Sequence, residues 1–195
     1  MQQLIDNINT LLGDDLRQSI QPGSHLKVAA SCFSIYAWEA LKHELESVES
    51  MEFLFTDAVF TEEQATDPVP KEHREFHIPK SDHARALVGG EFEIRLRNRL
   101  TQKAVARECA DWIRRKARFR SNATDHAMQS FGLVESGTET RAYFPLSGFD
   151  TVALGYQKGR SLSNFVMRSS ETEQTAKFLS LFRQVWNDPD QAKDV

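Results

Sequence analysis

At 195 residues, with 40% of them hydrophobic and 27% charged, the chain is the size of one domain and has the composition of a packed one, which excludes a disordered tract. The net charge of −4 excludes a uniformly basic coat. Cys32 and Cys109, each in an apolar-periodic segment, read as buried thiols of a reducing compartment, here the cytoplasm. With six scattered histidines they give no zinc spacing, so neither metal nor cofactor is expected. The opening MQQLIDNINT lacks the basic and apolar regions of a signal peptide, and no apolar run approaches the roughly 20 residues of a membrane span.

Along the chain, Leu4, Ile8, Leu11, Leu12, Leu16 and Ile20 recur at helical spacing, which predicts one amphipathic helix or two short ones over 2–20, broken at Gly13. A turn at Gln21-Pro22-Gly23-Ser24 leads into LKVAASCF (26–33), apolar on both faces and therefore a buried strand. Helical spacing over 35–48 and a second short strand, MEFLFT (51–56), complete a strand-helix-strand unit with a parallel pair. Residues 57–80, rich in acids and prolines and carrying His73 and His77, read as a long surface loop.

The longest helical pattern runs from Glu91 to about Lys116. Phe92, Leu96, Leu100, Val105, Cys109, Trp112 and Ile113 form its apolar face. Strand character follows at 117–121, 127–134, 140–146 and 162–168, with a hairpin loop at ESGTE (135–139). A last helix spans about 171–186 on a stripe of Ala176, Leu179, Phe182 and Trp186, with Ser169 or Ser170 as N-cap. The ending QAKDV carries no turn or tail signal, and suggests a piece of a longer protein.

Charge is unevenly spread. Between Arg95 and Arg120 stand ten Lys or Arg and two acids, Glu108 and Asp111, so this stretch nets +8 and the rest of the chain −12. Arg95, Arg99, Lys103 and Arg107 step by four and stack on one helix face, and Arg114, Arg115 and Arg118 extend the stripe. Like charges at this spacing repel by a few tenths of a kcal/mol per pair. A stripe that opposes its own helix suggests a polyanion, DNA or another nucleic acid, whose phosphates offset the repulsion. Arg118, Phe119, Arg120 and Asn122 in RFRSN add positive charge and a ring that suit a phosphate backbone or a base. The same pattern also describes a solvated face whose arginines meet acids elsewhere, or an edge strand guarded by charge. No phosphate loop, dinucleotide fingerprint or nucleophile elbow is present in the sequence.

The order of the C-terminal half resembles the phospholipase D-like superfamily. The corresponding stretches are His126-Ala127-Met128, AYFPLSGFDTVALG (142–155), Asn164-Phe165-Val166 and KFLSLFRQVWND (177–188). With the opening strand-helix-strand, the layout is similar along nearly the whole chain to the phospholipase D-like domain at the N-terminus of bacterial Swi/Snf-type helicases. The resemblance implies a single α/β domain over 1–195, a mixed β-sheet flanked by α-helices, and His126 as phosphohistidine nucleophile with Ser147 and Asn164 beside it. It also implies an ATPase motor in the same polypeptide and, for an active form, a homodimer. The chain departs from the superfamily where Met128 stands for the phosphate-binding lysine of His-x-Lys, Val166 for the glutamate of Asn-x-Glu, and Leu146-Ser147-Gly148-Phe149 for the Gly-Ser-x-Asn turn. Methionine carries no charge for a phosphoryl oxyanion. Three readings follow: a catalytically degenerate nucleic-acid-binding accessory domain of a helicase or restriction-type protein, a phosphodiesterase or nuclease using His126, and a protein-interaction module with a basic face.

Overall fold

A computed structural model describes residues 1–56, 102–124, 126–159 and 164–195, with the side chains of Gln102 and Lys103 excepted. Among them, eight strands form one mixed sheet in the order β1-β7-β6-β5-β2-β3-β4-β8. The centre is the strand-helix-strand unit read from the sequence. It consists of β2 (His25–Ala30), the short helices α2 (Ile35–Ala40) and α3 (Lys42–Ser47), and β3 (Ser50–Phe55), with β2 and β3 parallel. Ser34 starts α2 by accepting a hydrogen bond from the Tyr36 N–H at 3.2 Å. Helix α4 (Gln102–Lys116) then leads into β4 (Ala117–Asn122), parallel to β3.

From β4 the chain returns across β3 and β2 to β5 (Phe131–Ser136), which runs antiparallel to β2. A two-residue turn with Gly137 at φ +58° joins β5 to β6 (Glu139–Phe144), so the hairpin falls where ESGTE placed it. Strand β7 (Val166–Ser169), helix α5 (Thr172–Asn187) and β8 (Ala192–Asp194) complete the described chain. Glu171, rather than Ser169 or Ser170, is the N-cap of α5, and the Ser169 hydroxyl instead accepts the Glu171 N–H at 3.3 Å.

Alternation along the strands sends one set of side chains to each face. Leu26, Val28, Met51, Phe53, Val134 and Tyr143 meet helix residues Leu12, Leu16, Trp38, Leu45, Cys109 and Trp112 on one side. Ala29, Leu54, Phe131, Leu133 and Ala142 meet Phe182 and Trp186 of α5 on the other. The fold is therefore α/β, a mixed sheet with helices on both faces. No helix among the described residues is long and apolar enough to cross a membrane.

Several expectations are overturned. Residues 2–20 are not one helical run: Gln2–Ile5 form strand β1, antiparallel to β7, and only Leu12–Ser19 form a helix, α1. Between them the Asp6 carboxylate accepts the N–H groups of Ile8, Asn9 and Thr10 at 2.8–3.0 Å, which diverts them from helix bonds. Those three bonds, with a fourth from the Asn9 side-chain amide, hold its carboxyl far below the usual carboxylate range. Asn7 sits in the left-handed region at φ +54°. Leu4 and Ile8, expected on an apolar helix face, are 55% and 76% exposed. Gly13 is no break: it lies inside α1, where a Cβ would meet the Tyr156 ring at 2.4 Å.

QAKDV contributes an edge strand, with β8 antiparallel to β4. On α5 Ala176 is exposed, and the buried positions are Thr175, Phe182 and Trp186. The apolar face expected of α4 holds for Cys109 and Trp112, both fully buried, with Val105 and Ile113 packed against the same core. Phe92, Leu96, Leu100 and the 57–80 segment lie outside the described residues.

Candidate functional site

The direction of the strands decides which loops meet. Strands β2, β3, β4 and β6 share one direction, while β5 and β7 run against them. The C-terminal ends of the first set and the N-terminal ends of the second therefore lie on one edge of the sheet. That edge gathers Ser31, Thr56, the 123–130 connection, the loop after β6 and the lead into β7. In open α/β sheets the carboxyl edge of the parallel strands is where ligands bind.

His126, Ser147 and Asn164 all belong to this edge, each with its own partners. His126 stands in the β4–β5 connection, and the strand expected over 127–134 begins only at Phe131. Its ring is exposed, while its carbonyl accepts the Asn122 amide at 2.6 Å. Asn122, buried at the end of β4, also donates to Thr56 O at 3.0 Å and accepts from the Thr124 N–H and hydroxyl at 2.9 and 2.8 Å. Ser147 is exposed, with its carbonyl accepting the Ser31 hydroxyl at 2.8 Å. Asn164 is committed to loop structure: its amide donates to Val152 O at 3.1 Å and its carbonyl accepts the Asn7 amide at 3.0 Å. No hydrogen bond among the described residues joins these three to one another.

Met128, where the resemblance read from the sequence would have a lysine, packs partly buried against the apolar cluster of Phe131, Phe182 and Trp186. It faces hydrocarbon where a phosphate would need a cation. Cys32 and Cys109 are free, buried thiols, as read from the sequence. Burial, reinforced by the neighbouring Asp150 carboxylate, pushes Cys32 up to about 12, and burial alone takes Cys109 to about 12. Neither is a thiolate nucleophile at neutral pH.

Beside this edge lies a cleft of about 240 Å³ lined by residues from 122–124 and 126–129, from α5, and by Gln191 ahead of β8. It is lined by Asn122, Thr124, His126, Met128, Gln129 and Gln191, with Ala127, Leu181 and Val185 as further apolar walls. Asn122 was legible as part of RFRSN. Gln129 and Gln191 were not, because they come from segments far apart in the chain and follow no spacing.

The basic stretch is divided by the fold. Arg107 and Arg114, seven residues and nearly two helical turns apart, share the outer face of α4, away from buried Cys109 and Trp112. Both are exposed, as are Arg115 and Arg118. Arg114 pairs with Asp111 at 2.6 Å and Arg115 with Glu46 at 3.4 Å. Both pairs are open to solvent, where such bridges are worth little. Arg107 and Arg118 have no carboxylate within ion-pair distance among the described residues. Arg118 stands opposite Glu52 in the register, but Glu52 pairs with Lys27 at 3.5 Å.

Arg120 is turned inward. It bonds Asp194 of β8 at 2.7 Å and the Trp186 carbonyl, and lies over the Trp186 ring at 5.5 Å, so it clamps β8 and the end of α5 rather than facing a ligand. Arg95 and Arg99 lie outside the described residues, as does the side chain of Lys103. No group of three or more metal-ligating side chains is present among the described residues. No protein-family model matches the chain, and no curated protein matches it.

Proposed function

We propose that this chain is a nucleic-acid-binding accessory domain with a phospholipase D-like fold, catalytically degenerate, that works beside an ATP-driven helicase motor in the same polypeptide. The reading is supported by one observation above others: Arg107, Arg114, Arg115 and Arg118 remain on the surface of α4 and the start of β4, and two of them have no carboxylate partner among the described residues. Degeneracy is supported by Met128, partly buried against the apolar cluster where the superfamily's chemistry needs a cation.

Fluorescence anisotropy with labelled single- and double-stranded DNA tests the reading. Affinity falls steeply with salt as phosphates are neutralised, with a slope near 0.9 per contact on duplex. The triple substitution Arg107→Ala, Arg114→Ala and Arg118→Ala weakens binding and flattens that slope, with the melting temperature retained. Unchanged affinity and slope in a folded variant overturns the reading.

A second reading, metal-independent phosphodiester cleavage through His126, is favoured by the gathering of His126, Ser147 and Asn164 on one edge of the sheet. Turnover of a bis-phenyl phosphate that disappears in His126→Ala supports it, and a turnover indifferent to that change removes it.

A further inference from the structure

The cleft beside His126 is chemically unlike the arginine face. Among the described residues no lysine, arginine, aspartate or glutamate lines it, and His126 is the one titratable side chain they contribute. Among the described residues a phosphate placed there finds no cation to neutralise it, and Met128, partly buried against the apolar cluster, adds none. What the cleft offers is amides and hydroxyls set against apolar walls.

The floor is rigid, since the Asn122 side chain is wholly engaged with Thr56, His126 and Thr124. Gln191 is oriented by its Nε2 donating to Asp188 at 2.8 Å and by its backbone carbonyl accepting the Ala123 N–H at 2.8 Å, while its side-chain Oε1 has no partner among the described residues. Gln129 also lines the cleft and is exposed, with no hydrogen-bond partner for its amide among the described residues. Leu181, 37% exposed, and Val185 supply apolar lining from α5. At about 240 Å³ the cleft is far larger than the roughly 10–15 Å³ that one water needs, which is room for an aromatic heterocycle.

We infer that this cleft binds an unpaired nucleobase, its polar edge read by the Gln129 and Gln191 amides and its ring laid against Leu181 and Val185. A neutral, planar ligand with alternating donors and acceptors suits uncharged amides, which pair with base edges in a bidentate way. The biological source, a base splayed out of a strand held by the arginine face, rests on the nucleic-acid reading. The chemistry of the cleft does not, and a free nucleoside meets the same groups.

The experiment uses the full chain and three probes: a short single-stranded oligonucleotide, the same strand made abasic, and free adenosine or cytidine followed by ligand-observed NMR. The expected result is a base-bearing strand bound roughly ten-fold more tightly than the abasic one, the order of one good bidentate contact, together with saturable nucleoside binding. Gln129→Ala and Leu181→Trp bring the two strands to within about two-fold of each other and abolish nucleoside binding, again on the scale of a single bidentate contact. Arg107→Ala with Arg118→Ala weakens both strands alike. Equal affinity for the two strands with no nucleoside saturation overturns the cleft and leaves the arginine reading standing. Saturable nucleoside binding that is lost in Gln129→Ala, with neither strand bound, sustains the cleft and overturns the nucleic-acid reading. A base preference untouched by either cleft substitution also overturns the assignment. Leu181 and Gln129 are both exposed, and Gln129→Ala decides the matter should the tryptophan disturb folding.

Discussion

Asp15 is a carboxylate with 5% exposure, enclosed between α1 and the sheet. Its Oδ2 accepts from Arg168 Nη1 at 2.7 Å, while Oδ1 accepts the Tyr143 hydroxyl at 2.8 Å and the Ser19 hydroxyl at 3.4 Å. Arg168 also donates to Gln3, so one guanidinium straps β1 to β7 and neutralises a charge held out of water. Arg168→Met keeps most of the aliphatic stem and removes the cation. A broken buried pair costs about 3–5 kcal/mol. Tyr143 and Ser19 still donate, so the lower end, about 3 kcal/mol, applies. For a chain of this length that lowers the melting temperature by roughly 6–12 °C. Adding Asp15→Asn removes the stranded charge and keeps an acceptor for Tyr143, so the double variant recovers about 1–2 kcal/mol of the loss. Urea denaturation at pH 7 reads both, with the slope unchanged if only the folded state is affected. A loss below about 1 kcal/mol for Arg168→Met, the range of exposed pairs, refutes the claim that the pair is shielded from solvent.

Three further outcomes follow from the packing. Gly132→Ala places a methyl 3.4 Å from Leu146, into a void of about 20 Å³ lined by Leu12, Leu16, Val28 and Phe149. One buried carbon and a stiffer unfolded chain stabilise by about 1 kcal/mol, or roughly 2–4 °C by calorimetry. A lower melting temperature means that Leu146 cannot give way. Asn7→Gly keeps the left-handed backbone but loses bonds to Leu12 N–H at 2.7 Å, Ala153 O at 3.2 Å and Asn164 O. It costs about 2–3 kcal/mol in urea titration, and Asn7→Ala costs about 1 kcal/mol more from backbone strain. Cys32 and Cys109 resist a thiol reagent at pH 8 and react once guanidinium unfolds the chain. Their folded pKa values near 12 exceed the ordinary 9.0, so the unfolded chain loses protons first. Their contribution is complete below pH 9 and is lost as pH rises towards 12, which a thermal-melt series in pH detects.

What was legible in the sequence was what local spacing encodes. The apolar run at 26–33 and MEFLFT became the parallel pair β2 and β3, because strands buried on both faces need no alternation and therefore stand out. The Cys109 and Trp112 face of α4 and the turn at Gly137 were legible for the same reason, since a helix face and a hairpin are defined within a few residues. Residues 2–5 and 192–194 were not. Each becomes a strand only by pairing with β7 or β4, whose partners lie far off in sequence, and tertiary hydrogen bonds then outweigh the helical spacing of Leu4 and Ile8.

The same division runs through the candidate site. Composition and a four-residue step established that the chain carries a concentrated positive charge, and the resemblance read from the sequence puts Met128 where the superfamily has its phosphate-binding lysine. Only the tertiary structure decided that Arg120 points inward to Asp194 and Trp186, and that Asn164 is consumed by loop bonds. The fold also brings Gln129 and Gln191 to one cleft. Strand direction is the physical reason: it assigns each loop to an edge of the sheet, and nothing in a loop's own residues states which edge that is.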